Sequence, residues 1–180
     1  MRNRSLPREI SSDGVLLRQW TPNDFEFYAA YMGDDSTARY HGGAIDTQKA
    51  WRHLASVIGH WTLRRFGVYA VESLEEGTVQ GMVGLWEPYG WPCREFVYGF
   101  IPEAYDRDLA LRAVESTLDE VKSSFPAEAI RGFIHPENAR ALGLARMIGA
   151  TAHGEVPLFE FGLHVEVSFF EPPSLPQAEV

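Results

Sequence analysis

The sequence predicts a mixed α/β fold of the α+β kind, a mixed sheet flanked by helices, from three observations. Short β-type runs alternate with amphipathic helical stretches along the chain. Two of the runs, "GVYAVES" and "TVQGMVGLW", are separated only by "LEEG", a hairpin connection that makes them antiparallel. The later runs are separated by helix-length segments, the spacing of crossover connections. At 180 residues, with 45% hydrophobic and 23% charged side chains, the chain can bury one substantial core and does not have a disordered composition.

The elements follow in order. Residues 1–13 are polar and read as a flexible N-terminal arm, 14–170 as a single domain, and the Pro-rich 171–180 as a flexible tail. "GVLLRQW" supplies a first strand over 15–19. In "TPNDFEFYAAYM", Thr21 is positioned to cap, Pro22 suits the first helical turn, and Asp24 completes a capping box with Asp in place of Glu. Phe25, Tyr28, Ala29 and Met32 then form one apolar face. "GDDSTARYHGGAIDTQKA" reads as a turn-rich connection. Asp46 caps a second helix whose inward stripe is Trp51, Leu54, Ala55 and Ile58. After the hairpin, "EPYGWP" breaks the pattern and a strand resumes over 95–101. A helix over 109–122 buries Leu109, Ala110, Ala113, Val114, Thr117, Leu118 and Val121 on one face. "AIRGFIH" is a short strand, "PENARALGLARMIGA" a helix stopped by Gly149, and "EVPLFEFGLHVEVSFF" one or two closing strands.

Composition narrows the function classes. A formal charge of -9, with no basic patch interleaved with aromatics, argues against nucleic acid or an anionic membrane as the main partner. No 18-residue apolar run is present, and "MRNRSLPREI" has no apolar signal core behind it, so a cytoplasmic protein is expected. The single cysteine, Cys93, excludes an internal disulfide and reads as an inert small residue. His135, His153 and His164 lack zinc-ligand spacing, and no metal is expected.

Four segments in order carry a family resemblance: "GVLLRQWTPNDFEFYAAYM", "AWRHLASVIGHWTLRRFGVYAVE", "GMVGLWEPYGWPCREFVYGFIPEAYDRDLALRAV" and "IHPENARALGLARMIGA". Over residues 14 to 170 the chain resembles the GNAT superfamily of acyl-CoA N-acyltransferases, in the branch similar to ribosomal-protein N-terminal acetyltransferases. The resemblance implies a GNAT-like twisted mixed sheet that splays open near its middle. It also implies acetyl-CoA as cosubstrate in the split, and a primary amine as acceptor, either a small molecule or a protein N-terminus. The protein would be a monomer or a homodimer, with neither nucleic acid nor membrane as partner.

The resemblance also distributes roles. The strand "REFVYGFI" would hold the pantetheine arm through its backbone, so Phe96, Val97, Phe100 and Ile101 become cofactor-binding candidates. The turn after it, with Arg107, Asp108, Leu109 and Ala110, would hold the pyrophosphate, and Asn138 would help to position the cofactor. Glu95 is the candidate base or amine anchor. Tyr98 and Tyr105 are candidate proton donors to the leaving thiolate. His41, Trp86 and Trp91 are candidates for the acceptor pocket. Two departures stand out. Asp106 and Asp108 occupy the positions of the family's glycines, and Ala141 stands where the family has a hydroxyl.

The acidic turn leaves three readings open. Helix-start amides attract phosphate, but a carboxylate there caps the same amides and repels the ligand. Binding would then be weak or lost. Alternatively, Asp keeps the left-handed backbone and turns its side chain to water, preserving the cradle. A bridging divalent cation is the third. On the first reading the chain is a catalytically impaired relative that serves as a binding or interaction module.

Overall fold

The structure is a computed structural model and describes residues 5–172, with the side chains of Asp106 and Glu160 outside the described set. Eight strands form one sheet: β1 (Glu9–Ser12), β2 (Val15–Arg18), β3 (Val68–Ser73), β4 (Thr78–Trp86), β5 (Glu95–Phe100), β6 (Ile130–Ile134), β7 (Thr151–Pro157) and β8 (Leu163–Phe170). Their spatial order is β1-β2-β3-β4-β5-β6-β8-β7, antiparallel except for the β5–β6 pair. Among the described residues, six α-helices complete the fold: α1 (Phe25–Gly33), α2 (Asp35–Ala38), α3 (Thr47–Arg64), α4 (Pro102–Asp106), α5 (Leu109–Ser124) and α6 (Ala139–Met147). The mixed sheet covered by helices is the fold class expected from the sequence.

The N-terminal segment differs from expectation. Glu9–Ser12, expected within a loose arm, is a paired strand in register with Ser12↔Val15. Its cause is the Asp13–Gly14 turn, where both residues have positive φ, the geometry of a tight hairpin that Asp-Gly favours. The tail expected at 171–180 falls outside the described residues from 173 onward. Glu171, before that point, accepts from Ser168 Oγ at 2.8 Å and pairs with Arg131 at 2.9 Å.

The core occupies both faces of the sheet. On one, Phe96, Tyr98 and Phe100 of β5 pack with Leu109, Val114 and Leu118 of α5 and Leu144 of α6. On the other, Tyr28, Met32, Leu54 and Val57 of α1 and α3 cover Val68, Ala70 and Met82. The buried stripe of α3 is Ala50, Leu54, Val57 and Trp61, rotated from the expected one. Trp51 is instead 53% exposed and meets Phe25 edge-on. No helix among the described residues is long and apolar enough to cross a membrane.

The feature that positions the site is the parting of β5 from β6. The two strands are parallel but share one register pair, Glu95 with Arg131, and then separate. The Ile101 amide donates to the Gln80 carbonyl at 3.0 Å, toward β4. By strand alternation, the main-chain groups of Tyr98 and Phe100 face the parted side. A sheet opened in this way leaves polar backbone in a cleft that a ligand can complete.

Candidate active site

A cavity of about 510 Å³ lies against the parted strands, on the α1–α3 side of the sheet, and reaches the start of α6. Glu95 stands at its inner wall, at the one point where β5 and β6 still pair. The residue is 6% exposed, and its carboxylate accepts the Trp91 indole N–H at 2.7 Å. Burial pushes its pKa up to about 7, against the opposing pull of Trp91 and the Phe133 amide. A carboxyl group that titrates near neutrality can accept a proton from an amine or hold an ammonium.

The cavity brings together His41, Trp86, Trp91, Glu95, Phe96, Val97, Tyr98 and Asn138 from the sequence candidates. Trp86 faces Glu95 across the β4–β5 ladder and stacks on His60, with ring centroids 4.7 Å apart. His41 opens onto the cavity, and its Nε2 lies 3.3 Å from the Tyr31 hydroxyl. The Tyr98 hydroxyl donates to the Ala141 carbonyl at 2.7 Å, and burial raises its pKa. Asn138 caps α6, its Oδ1 accepting the Ala141 amide at 3.1 Å.

Other candidates lie elsewhere. Tyr105 does not line the cavity; its ring meets Phe100 edge-on at 5.5 Å and lies under the Arg140 guanidinium. The Ile101 amide is turned toward β4 and away from the gap, so that backbone donor is unavailable to a ligand there. Phe100, Arg107, Asp108, Leu109 and Ala110 are at or beyond the far end of β5, outside the cavity wall. Cys93 is half-buried, and burial with nearby Glu95 pushes its thiol up to about 11, far from a reactive thiolate.

The turn before α5 adopts a left-handed backbone without glycine. Asp108 adopts φ 57, ψ 6, and its exposed side chain makes no capping hydrogen bond to α5. The opening amides of α5, from Leu109 onward, have no acceptor within the helix. Arg107 turns to Glu76 of the β3–β4 hairpin, with which it forms an ion pair. The Asp108 side chain does not cap the α5 amides.

Several cavity residues escaped sequence reasoning. His53 accepts or donates at 2.9 Å with the Tyr28 hydroxyl. Arg39 pairs with Glu137 at 2.8 Å and the Tyr40 hydroxyl donates to the Glu137 carbonyl at 3.1 Å, joining the α2 connection to the turn before α6. Phe161 lies in a turn between β7 and β8, within a segment whose apolar residues read as strand. The glycine that ends that turn, Gly162 at φ 86, was the available signal.

Residues 15–151 match the sequence profile of the acetyltransferase (GNAT) domain. The chain is similar in fold to several solved structures. An acetyltransferase from Agrobacterium tumefaciens matches with a TM-score of 0.80 at 20% identity, over 91% of this chain and 94% of that one. The ribosomal-protein-S5-alanine acetyltransferase from Vibrio fischeri matches with a TM-score of 0.67 at 15% identity, over 89% and 94%. A spermidine N-acetyltransferase from Vibrio cholerae, solved with CoA and spermine, matches with a TM-score of 0.63 at 21% identity, over 87% and 94%. With the profile spanning most of the domain and the sheet parted beside a buried carboxyl group, the chain belongs to the GNAT acetyltransferase family.

Proposed function

We propose that the protein is an acetyl-CoA-dependent N-acetyltransferase acting on a primary amine, in the branch that resembles ribosomal-protein N-terminal acetyltransferases. The observation that carries this reading is Glu95, a buried carboxyl group titrating near neutrality where the parted strands meet the cavity. Acetyl-CoA would supply the acetyl thioester. The Tyr98 and Phe100 backbone would face its pantetheine arm, and the first amides of α5 would receive its pyrophosphate. Glu95 would take the proton from the acceptor ammonium, freeing the nitrogen lone pair for attack on the thioester carbonyl. The C–N bond forms as the C–S bond breaks, and the departing thiolate collects a proton. Tyr98 is a phenol on the cavity wall, its hydroxyl hydrogen engaged by the Ala141 carbonyl.

The competing reading is a binding module that has lost catalysis, supported by Ala141 in place of a hydroxyl and by Asp108 in the turn. Titration calorimetry with acetyl-CoA, with and without a divalent metal, separates the two. Micromolar binding without metal, with thiol release on adding an amine, is expected of the enzyme. Absence of binding at millimolar acetyl-CoA would leave the binding-module reading standing.

A further inference from the structure

The acceptor side of the cavity has a composition that discriminates among amines. Among the described residues that line it, Glu95 is the only acidic side chain and Arg39 the only lysine or arginine, itself paired with Glu137. The remaining wall is mostly aromatic and aliphatic, with four imidazoles and Asn138. Trp91 packs against Phe159 at 5.2 Å and Phe161 at 6.4 Å between ring centroids, and Trp86 stands beside Glu95. Phe161 on the wall is 41% exposed and Phe159, against Trp91, is 56% exposed, apolar surface that the core does not use.

Apart from the Tyr98 and Phe100 main chain, assigned above to the pantetheine arm, the tyrosine hydroxyls of the wall already have partners within the protein. The hydroxyls of Tyr28, Tyr40 and Tyr98 bond to His53, Glu137 and Ala141. Asn138 Oδ1 caps α6, and His164 Nδ1 lies 3.3 Å from the Gly162 carbonyl. A peptide main chain brings a donor and an acceptor with each residue, and the engaged tyrosine hydroxyls offer these few new partners. A polyamine brings two or more ammonium groups to a wall with one carboxylate, and each further charge loses water without gaining a partner. The net charge of -9 attracts any cation at long range and does not choose among them.

We propose that the acceptor is a small primary amine with a single cationic centre on an aromatic or other apolar body. Its ammonium sits at Glu95, and its body packs against Trp86, Trp91 and Phe161. This rests on the acetyltransferase reading above and narrows it, placing small apolar amines ahead of polyamines and peptide N-termini.

The test is acetylation from acetyl-CoA of three acceptors: 2-phenylethylamine, spermidine and an alanine-initiated hexapeptide. 2-Phenylethylamine is expected to have the highest kcat/KM, by about tenfold or more. Phe161→Ala, at a partly exposed site, is expected to raise the KM for 2-phenylethylamine by about tenfold with little change in kcat. Phe161→Tyr is expected to restore the low KM, and calorimetric affinity for acetyl-CoA is expected to be the same in all three proteins. A preference for spermidine or the hexapeptide, or an unchanged KM in Phe161→Ala, overturns the acceptor class and leaves the transferase standing. Acetyl-CoA binding with acetylation of none of the three overturns the transferase reading, and this inference with it.

Discussion

The Trp91 indole N–H donates to Glu95 Oε2 at 2.7 Å, linking the irregular segment after β4 to the first residue of β5. That bond favours the ionised carboxylate, while burial favours the neutral acid and prevails, leaving the pKa at about 7. If Glu95 accepts the acceptor's proton, kcat/KM should rise with pH through about 7 and level off above it. Trp91→Phe removes a donor that favours the charged form, so the acid limb should move to higher pH. Glu95→Gln should abolish that limb and lower kcat by about 10²-fold or more. A pH–rate profile of the three proteins checks this, and an unchanged limb in Glu95→Gln would assign it to another group.

The same carboxyl group makes stability pH-dependent. Its folded pKa is raised from 4.5 to about 7, so between those values the native state keeps a proton that the unfolded chain has lost. Stability therefore falls as pH rises through this window; the contribution is full below 4.5 and gone above about 7. Wild type should lose up to about 3 kcal/mol relative to Glu95→Gln across that range, the other carboxylates cancelling in the difference. Urea denaturation of both proteins at several pH values measures it, and parallel curves would show that Glu95 titrates alike in both states.

Much of the frame was legible because periodicity and turn chemistry are local. The hairpin of β3 and β4, the face of α5 and the cap at Asp46 all follow from spacing within a few residues. The α3 stripe was misread because Trp51 weighs heavily in any hydrophobic count, whereas the face that meets the sheet begins at its neighbour Ala50, 100° away around the helix. β1 was missed because "EISS" has little apolar content, although the adjacent Asp13–Gly14 pair marks its turn. The cavity was less legible. Phe161 and His53 share a wall only because β8 returns to pair with β6 and α3 crosses the sheet, contacts that no local pattern encodes.

Asp108 in the turn before α5 gives a prediction in which shape and charge separate. Its backbone is left-handed, a conformation Asp tolerates better than most residues and Gly better still. Asp108→Ala should therefore destabilise the fold by about 1–2 kcal/mol, while Asp108→Gly should stay within about 1 kcal/mol of wild type. Removing the charge should also strengthen acetyl-CoA binding, most in the paired Asp106→Gly, Asp108→Gly protein, with the gain shrinking as salt is raised. Calorimetry at two ionic strengths tests this. Equal affinity in wild type and the paired variant would mean that the carboxylates exert no field at the phosphate site.

Gly99 in β5 is a tight point beneath His41 and Tyr31. A Cβ built there would lie 2.4 Å from the Tyr31 hydroxyl and 2.5 Å from His41 Nε2, well inside contact distance. Tyr31 is buried and has little room to move, whereas His41 sits on the connection after α2 and opens to the cavity. Gly99→Ala should therefore displace His41 and break its 3.3 Å approach to Tyr31, at a stability cost of about 1–3 kcal/mol. The displaced ring would enter space that the acceptor needs, so the acceptor's KM should rise more than that of acetyl-CoA. The variant's melting temperature and the two KM values together test the geometry. A loss confined to stability, with both KM values unchanged, would show that the ring finds room outside the acceptor's path.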